Sequence, residues 1–231
     1  MSQTFPTQRV LELACAAQRT NKEYLKESES VFDSEGKFLF IKHDNKSLVK
    51  FALGAFKSDN VAPEFAPQTI FINDEDKEMA GEIQKYFKRL MFSAVKGTNE
   101  FETEVNAILN SDELPLNKVG YVACLPSVYK RDVARNQIEK RIRTVDRSYL
   151  GDAGKQIFDK DCEVLESKRS INFDAFNITA IIDNKMVSWF SKIDLKLGAC
   201  VVIKAKVKEH SMHWKHKDIN VTRLNYVKAA Q

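Results

Sequence analysis

The sequence predicts an α+β protein: a mainly helical N-terminal region carrying one β-hairpin, residues 1–147, followed by a five-stranded β-barrel, residues 148–231. Three observations predict it. Apolar residues recur at helical spacing through most of the first part. At Tyr149-Leu-Gly-Asp-Ala-Gly the pattern switches to period two, with Gly151 and Gly154 breaking the helix. The stretch Cys200 to Glu209 then alternates: Val201, Ile203, Ala205 and Val207 on one side, Lys204, Lys206 and Lys208 on the other, as a half-buried strand does.

The helical elements follow in order. Thr7 to Glu27 places Val10, Leu11, Ala14, Ala17 and Leu25 on one face, with Thr7 as N-cap. Ser30 to Lys42 reads as a hairpin whose Asp-Ser-Glu-Gly turn uses Gly36 for a positive φ. Asn45 to Phe56 is a short helix, and Lys57 to Gln68, with Pro63 and Pro67, a loop. A helix from Asn73 to Val95 has a capping Asn73 or Asp74, acids in its first turn and an apolar stripe of Met79, Ile83, Phe87, Leu90 and Met91. Glu100 to Leu109 is another helix. Leu116 to Leu125 is a third, stopped by Pro126, and Ser127 to Arg143 is a basic helix with few large apolar residues, either a solvated face or a phosphate-contacting or linker helix.

Five strands come next: Ile157 to Ser170, Phe173 to Asp183, Met186 to Ser191, Cys200 to Glu209 and Ile219 to Lys228. Asp183-Asn184 is a tight turn, and Lys192 to Gly198 a short helix or loop.

With 231 residues, 43% hydrophobic and 29% charged, the chain is long enough for a sizeable core and too apolar for a disordered one. No apolar run reaches the roughly 20 residues of a membrane helix, and the N-terminus lacks the signature of a signal peptide. Cys15, Cys124, Cys162 and Cys200 lie far apart and are expected to be buried, reduced thiols of a cytoplasmic protein. The excess positive charge sits in the last third: 14 basic against 10 acidic residues from Ser148 onward, seven against two from Cys200 onward. Lys130 to Arg147 adds seven basic against three acidic. Local basic surface of this kind suits a polyanion.

Five strands with an insertion between the third and fourth are the order of an OB-fold barrel. The residues Asp183-Asn184, Val187 with Trp189-Phe190, Leu197-Gly198, Val201 to His210, and Thr222 with Leu224 to Val227 resemble the C-terminal OB domain of tailed-phage single-stranded-DNA-binding and replication proteins. The resemblance covers roughly Gly151 to Ala229 and extends weakly to Thr69–Phe87 and Leu125–Asp132. It implies a barrel that binds single-stranded DNA with low sequence specificity in replication or recombination, in the cytoplasm of a bacterial host if the chain is phage-encoded.

A groove for single strands needs cations to track phosphates and exposed aromatic rings on which bases stack. The expected contacts are Lys168, Arg169 and Phe173 around the first barrel loop, Trp189 on the third strand, Lys204 and Lys206 on the fourth, His210, His213, Trp214, Lys215 and Lys217 in the last loop, and Arg223 on the fifth strand. Of the adjacent pair Trp189 and Phe190 one ring must face in and one out, and Trp189 is taken as the outward one. The spacing of His210, His213 and His216 could suggest zinc, but no cysteine lies nearby and a loop does not favour the geometry, so no metal or cofactor is expected. No Walker, nucleophile-elbow or zinc-protease motif occurs, and the expectation is a binding protein, not an enzyme. RNA is an alternative to DNA. A second reading makes the barrel an adaptor, with the N-terminal part, whose charges sum to zero, docking on a replication, recombination or host protein.

Overall fold

The computed structural model describes residues 3–55, 62–93 and 100–230. Phe56, the start of the expected Lys57–Gln68 loop, Met91 of the expected stripe and the expected helix end at Val95 lie outside the described residues or side chains. The architecture is α+β, with five helices among the described residues and a closed five-stranded barrel. The chain divides into two units, Met1–Val133 and Ala134–Gln231.

In the first unit, β1 (Thr4–Pro6) leads into α1 (Thr7–Asn21). Val10, Leu11, Ala14 and Ala17 are buried as the spacing requires. The helix is shorter than expected. Lys22 adopts a left-handed conformation, φ 65°, that ends it. The buried Asn21 amide then donates to Asn45 Oδ1 at 2.9 Å, and the same oxygen accepts from the Leu25 backbone at 2.9 Å. These bonds tie the departing chain to the next helix, a signal that periodicity does not carry. Thr7 is the first helical residue and not the cap; Pro6 holds the N-cap position without a side-chain bond.

β2 (Glu29–Phe32) and β3 (Phe38–Lys42) form the expected hairpin, with Gly36 at φ 80°. Asp44 caps α2 (Asn45–Ala52) by accepting from the Ser47 N–H at 2.9 Å. Asn73 and Asp76 exchange backbone and side-chain bonds of 2.9 and 3.0 Å to open α3 (Asp74–Ser93). Asp76 also takes Arg19 at 2.9 Å. α4 (Glu100–Leu109) follows, then β4 (Glu113–Pro115), which pairs with β1.

α5 (Val119–Arg143) corrects the expected helix break: it runs through Pro126. Proline in a helix interior costs about 3 kcal/mol. Val122, Ala123 and Leu125, all fully buried in the first unit's core, offset that cost by packing.

The second unit is built from β5 (Gln156–Arg169), β6 (Phe176–Ile182), β7 (Lys185–Ser191), β8 (Gly198–Met212) and β9 (Asn220–Ala230), closed in the order β5-β6-β7-β9-β8. All neighbours are antiparallel except β7 and β9. Asp183 and Asn184, φ 49° and 58°, make the two-residue turn between β6 and β7, which sets Ile182 opposite Lys185. Ile178, Ala180, Ile182, Val187, Trp189, Val202, Ala205, Val207 and Leu224 fill the interior.

The alternation expected in β8 is broken. Val202, Ala205 and Val207 are buried while Val201 and Ile203 are exposed, because the β8–β9 register shifts between Val202 and Lys204 and again between Lys204 and Lys206. Each bulge resets which face a side chain takes.

Cys162 and Cys200 are direct cross-strand partners, both buried and free. Burial and the neighbouring Cys200 thiol push the Cys162 pKa up, and burial pushes Cys15 up to about 12. Among the described residues no helix is long and apolar enough to cross a membrane.

Candidate nucleic-acid interface

The β6–β7 hairpin presents two faces, and its turn decides which residues occupy each. Directly opposed residues share a face. Trp189 lies opposite Ile178 and Val187 opposite Ala180, so Trp189 belongs to the interior row and is 4% exposed. Phe190 points outward and is 48% exposed. The expected orientation is therefore reversed. The signal was present in the sequence: Asn177 and Thr179 mark the wet side of β6, and a two-residue turn places Trp189 across from the dry Ile178.

Outside the barrel, Phe190 meets Phe173 of the β5–β6 loop edge to face, centroids 5.6 Å apart. Phe173 is 62% exposed. Lys168 and Arg169 flank this pair in sequence, each with an acidic neighbour: Lys168 Nζ is 2.6 Å from Glu166 and Arg169 is 3.5 Å from Asp174. Both cations are exposed, and such surface pairs are worth at most about 1 kcal/mol, so they yield readily to phosphate.

The other end of the same outer face is covered. Ile181 and Met186 alternate with interior residues and so point outward, yet both are buried. Ile142 and Val145, at the end of α5 and just after it, close over them together with Leu165, Ile219 and Val221, with Ile138 alongside. The C-terminal part of the basic helix is thus neither a simple solvated face nor a purely phosphate-facing one; its apolar edge packs on the barrel. Arg141 reinforces the contact through Glu163 at 2.9 Å.

The β8–β9 loop lies beside this helix. Trp214 is 76% exposed at its tip. His213 is buried, and its Nδ1 accepts from the backbone N–H of Lys215 at 3.2 Å and of His216 at 3.1 Å. It shapes the loop and does not face solvent. Burial, then neighbouring His216, lowers its pKa, in keeping with a neutral ring that accepts through Nδ1. Lys215 pairs with Glu139 of α5 and holds that carboxyl below its usual range. Lys217 is exposed and unpaired among the described residues. His210 stacks on Tyr149, centroids 4.1 Å apart and planes 10° apart, and its Nε2 donates to the Gly151 carbonyl at 2.9 Å. Its ring buttresses the entry to β5. Arg223 is held by Glu209 at 2.8 Å.

Lys204 and Lys206 do not join this face. β8 pairs with β5 and β9 and not with β6 or β7, so its outward residues lie on another part of the barrel surface. Lys204 instead lies 6.0 Å from the ring centre of exposed Phe158, with exposed Tyr226 on neighbouring β9, a surface the sequence did not signal. Tyr226 has φ 52° where β9 carries an extra residue between its Asn225 and Lys228 pairings.

Among the described residues no group of three His, Cys, Asp or Glu side chains is placed to hold a metal ion. Comparison with known proteins gives no match: no family model, no curated protein and no solved structure matches the chain.

Proposed function

We propose that the C-terminal barrel is an OB fold that binds single-stranded DNA with little sequence preference, as a non-enzymatic component of replication or recombination, of the tailed-phage kind that its sequence resembles. The closed order β5-β6-β7-β9-β8, with β7 and β9 as the parallel pair, supports the OB reading, since that fold closes a meander of three strands through its fifth and fourth. The observation that carries the function is the exposed Phe173–Phe190 pair beside Lys168 and Arg169, with Trp214 and Lys217 on the β8–β9 loop. Aromatic rings standing partly in water beside cations suit stacked bases and their phosphates.

The test is fluorescence anisotropy of a labelled oligonucleotide of about 30 nucleotides, single-stranded and duplex, at low and physiological salt. Salt-sensitive binding that prefers the single strand supports the reading. Equal or absent binding of both forms sinks it. An RNA strand of the same sequence tests the nucleic-acid type, since only a 2′-hydroxyl contact separates the two.

A second reading, an adaptor that docks through the N-terminal unit, has its own observation. The β2–β3 hairpin exposes Phe32, Leu39 and Phe40. Absence of nucleic-acid binding in the same experiment would favour it.

A further inference from the structure

A cavity of about 350 Å³ opens between the end of α5 and the β8–β9 loop, lined by Arg143, Arg147, His216, Asp218 and Ile219. We infer that it is a phosphate pocket, one that takes the phosphate group of a nucleotide; it deepens, and rests on, the nucleic-acid reading above.

The chemistry of the lining points to an anion. Two guanidiniums face one carboxylate. Asp218 holds Arg147 at 3.1 Å and fixes it in place. Arg143 is exposed and has no partner among the described residues, so its forked donors are free. His216 contributes a ring whose Nε2 is buried and has no hydrogen-bond partner. An orphaned buried nitrogen is costly, and a ligand oxygen would satisfy it. The end of α5 carries about half a negative charge from its peptide dipoles, which disfavours an anion there. Two arginines, each able to bind phosphate in bidentate fashion, outweigh it.

The walls are rigid. The Asp146 N–H donates to the Asn184 carbonyl at 2.8 Å, and Asp146 bridges to Lys185, so the segment between Arg143 and Arg147 is pinned to the β6–β7 turn. Ile219 is buried, its N–H donates to the His216 carbonyl at 3.0 Å, and its carbonyl accepts from His213 at 2.8 Å. A volume of this size falls within the usual range of small-molecule sites, about 300–1,000 Å³, and exceeds what a bare anion needs. Trp214 stands two residues from His216 in the same loop, where a base attached to that phosphate can stack on it.

The experiment titrates the full chain with inorganic pyrophosphate and, separately, with thymidine oligonucleotides of about ten nucleotides bearing a 5′-phosphate or a 5′-hydroxyl, at ionic strength held constant with chloride. The histidine ring resonances are followed by NMR. Arg143→Gln is compared with Arg143→Lys; Arg143 is exposed and holds no hydrogen bond or ion pair among the described residues, so both should fold, and a melting curve checks it. Saturable pyrophosphate binding that shifts His216, weakened at least about tenfold by Arg143→Gln and less by Arg143→Lys, is the expected result. If oligonucleotides bind and Arg143→Gln leaves both ligands unaffected, the pocket is overturned while the nucleic-acid reading stands. If pyrophosphate binds there and no oligonucleotide does, the pocket stands as a site for a small phosphate compound and the nucleic-acid reading falls. If neither binds, both fall. A preference for the 5′-phosphate assigns the pocket to a strand end, and equal affinity to an internal phosphodiester.

Discussion

Phe173 and Phe190 meet edge to face on the outside of the barrel, 5.6 Å between ring centres, while Trp189, the sequence neighbour of Phe190, is sealed inside. On the proposed function, ligand contact and stability thus separate at one peptide bond. Phe190→Ala should leave the melting temperature nearly unchanged and weaken single-strand binding by about fivefold to a hundredfold, the value of one stacked base. Trp189→Ala should cost about 3–5 kcal/mol of stability, as a large cavity in a small core does. Melting curves and anisotropy on the two variants decide the matter; equal loss of binding in folded samples of both would contradict the orientation argument.

The lysines of the β8–β9 loop differ in what they can offer a phosphate. Lys217 is unpaired among the described residues, whereas Lys215 already pairs with Glu139. Lys217→Ala should reduce the dependence of log affinity on log salt by about 0.7, one phosphate contact on a single strand. Lys215→Ala should change it less. The check is a salt titration of binding for each variant.

The loop should also be sensitive to acid. His213 accepts two backbone N–H groups through Nδ1, and its folded pKa lies below the ordinary 6.5 because burial comes first and His216, Lys215 and Lys217 add to it, against an opposing pull from Glu166. A depressed histidine pKa means that the unfolded chain binds the proton more readily. Its contribution is therefore fully present above pH 6.5 and declines as pH falls below that value toward the folded pKa. Trp214 fluorescence should report a loosened loop as pH falls below about 6.5, and the shift should vanish in His213→Asn, whose amide oxygen can accept the same bonds without titrating. A wild-type profile flat across that window would refute it.

Pro126 offers a test in the opposite direction. It removes one N–H, and with it one helical hydrogen bond, from the interior of α5. Pro126→Ala should raise stability by about 1–3 kcal/mol, read as a higher urea midpoint at an unchanged slope. A lower midpoint would mean that the proline sets a bend the packing requires.

The residues placed elsewhere than the sequence suggests share a cause. Lys204 and Lys206 were grouped with Trp214 because they are near in sequence, but the barrel sends β8 to the side away from β6 and β7. His210 and His213 read as loop donors and are instead spent on Tyr149, Gly151 and the loop's own backbone. Arg143, Arg147 and His216 were never grouped, because some 70 residues separate the arginines from the histidine. Trp189 is the exception, since turn length and the wet side of β6 already implied its inward face.

The sequence by itself determined the number and order of the barrel strands, the turn at Asp183-Asn184, the hairpin at Gly36, the cap at Asn73 and the core-facing residues Val10, Leu11, Ala14, Ala17, Ile83 and Phe87 of the first unit. These follow from periodicity and turn chemistry, which act over a few residues. Only the tertiary structure decided that α5 runs through Pro126, that its apolar edge covers part of the β6–β7 face, which cations are already paired, and which side chains meet at the cavity. Those outcomes depend on packing and charge pairing between segments far apart in the chain, and no local pattern encodes them.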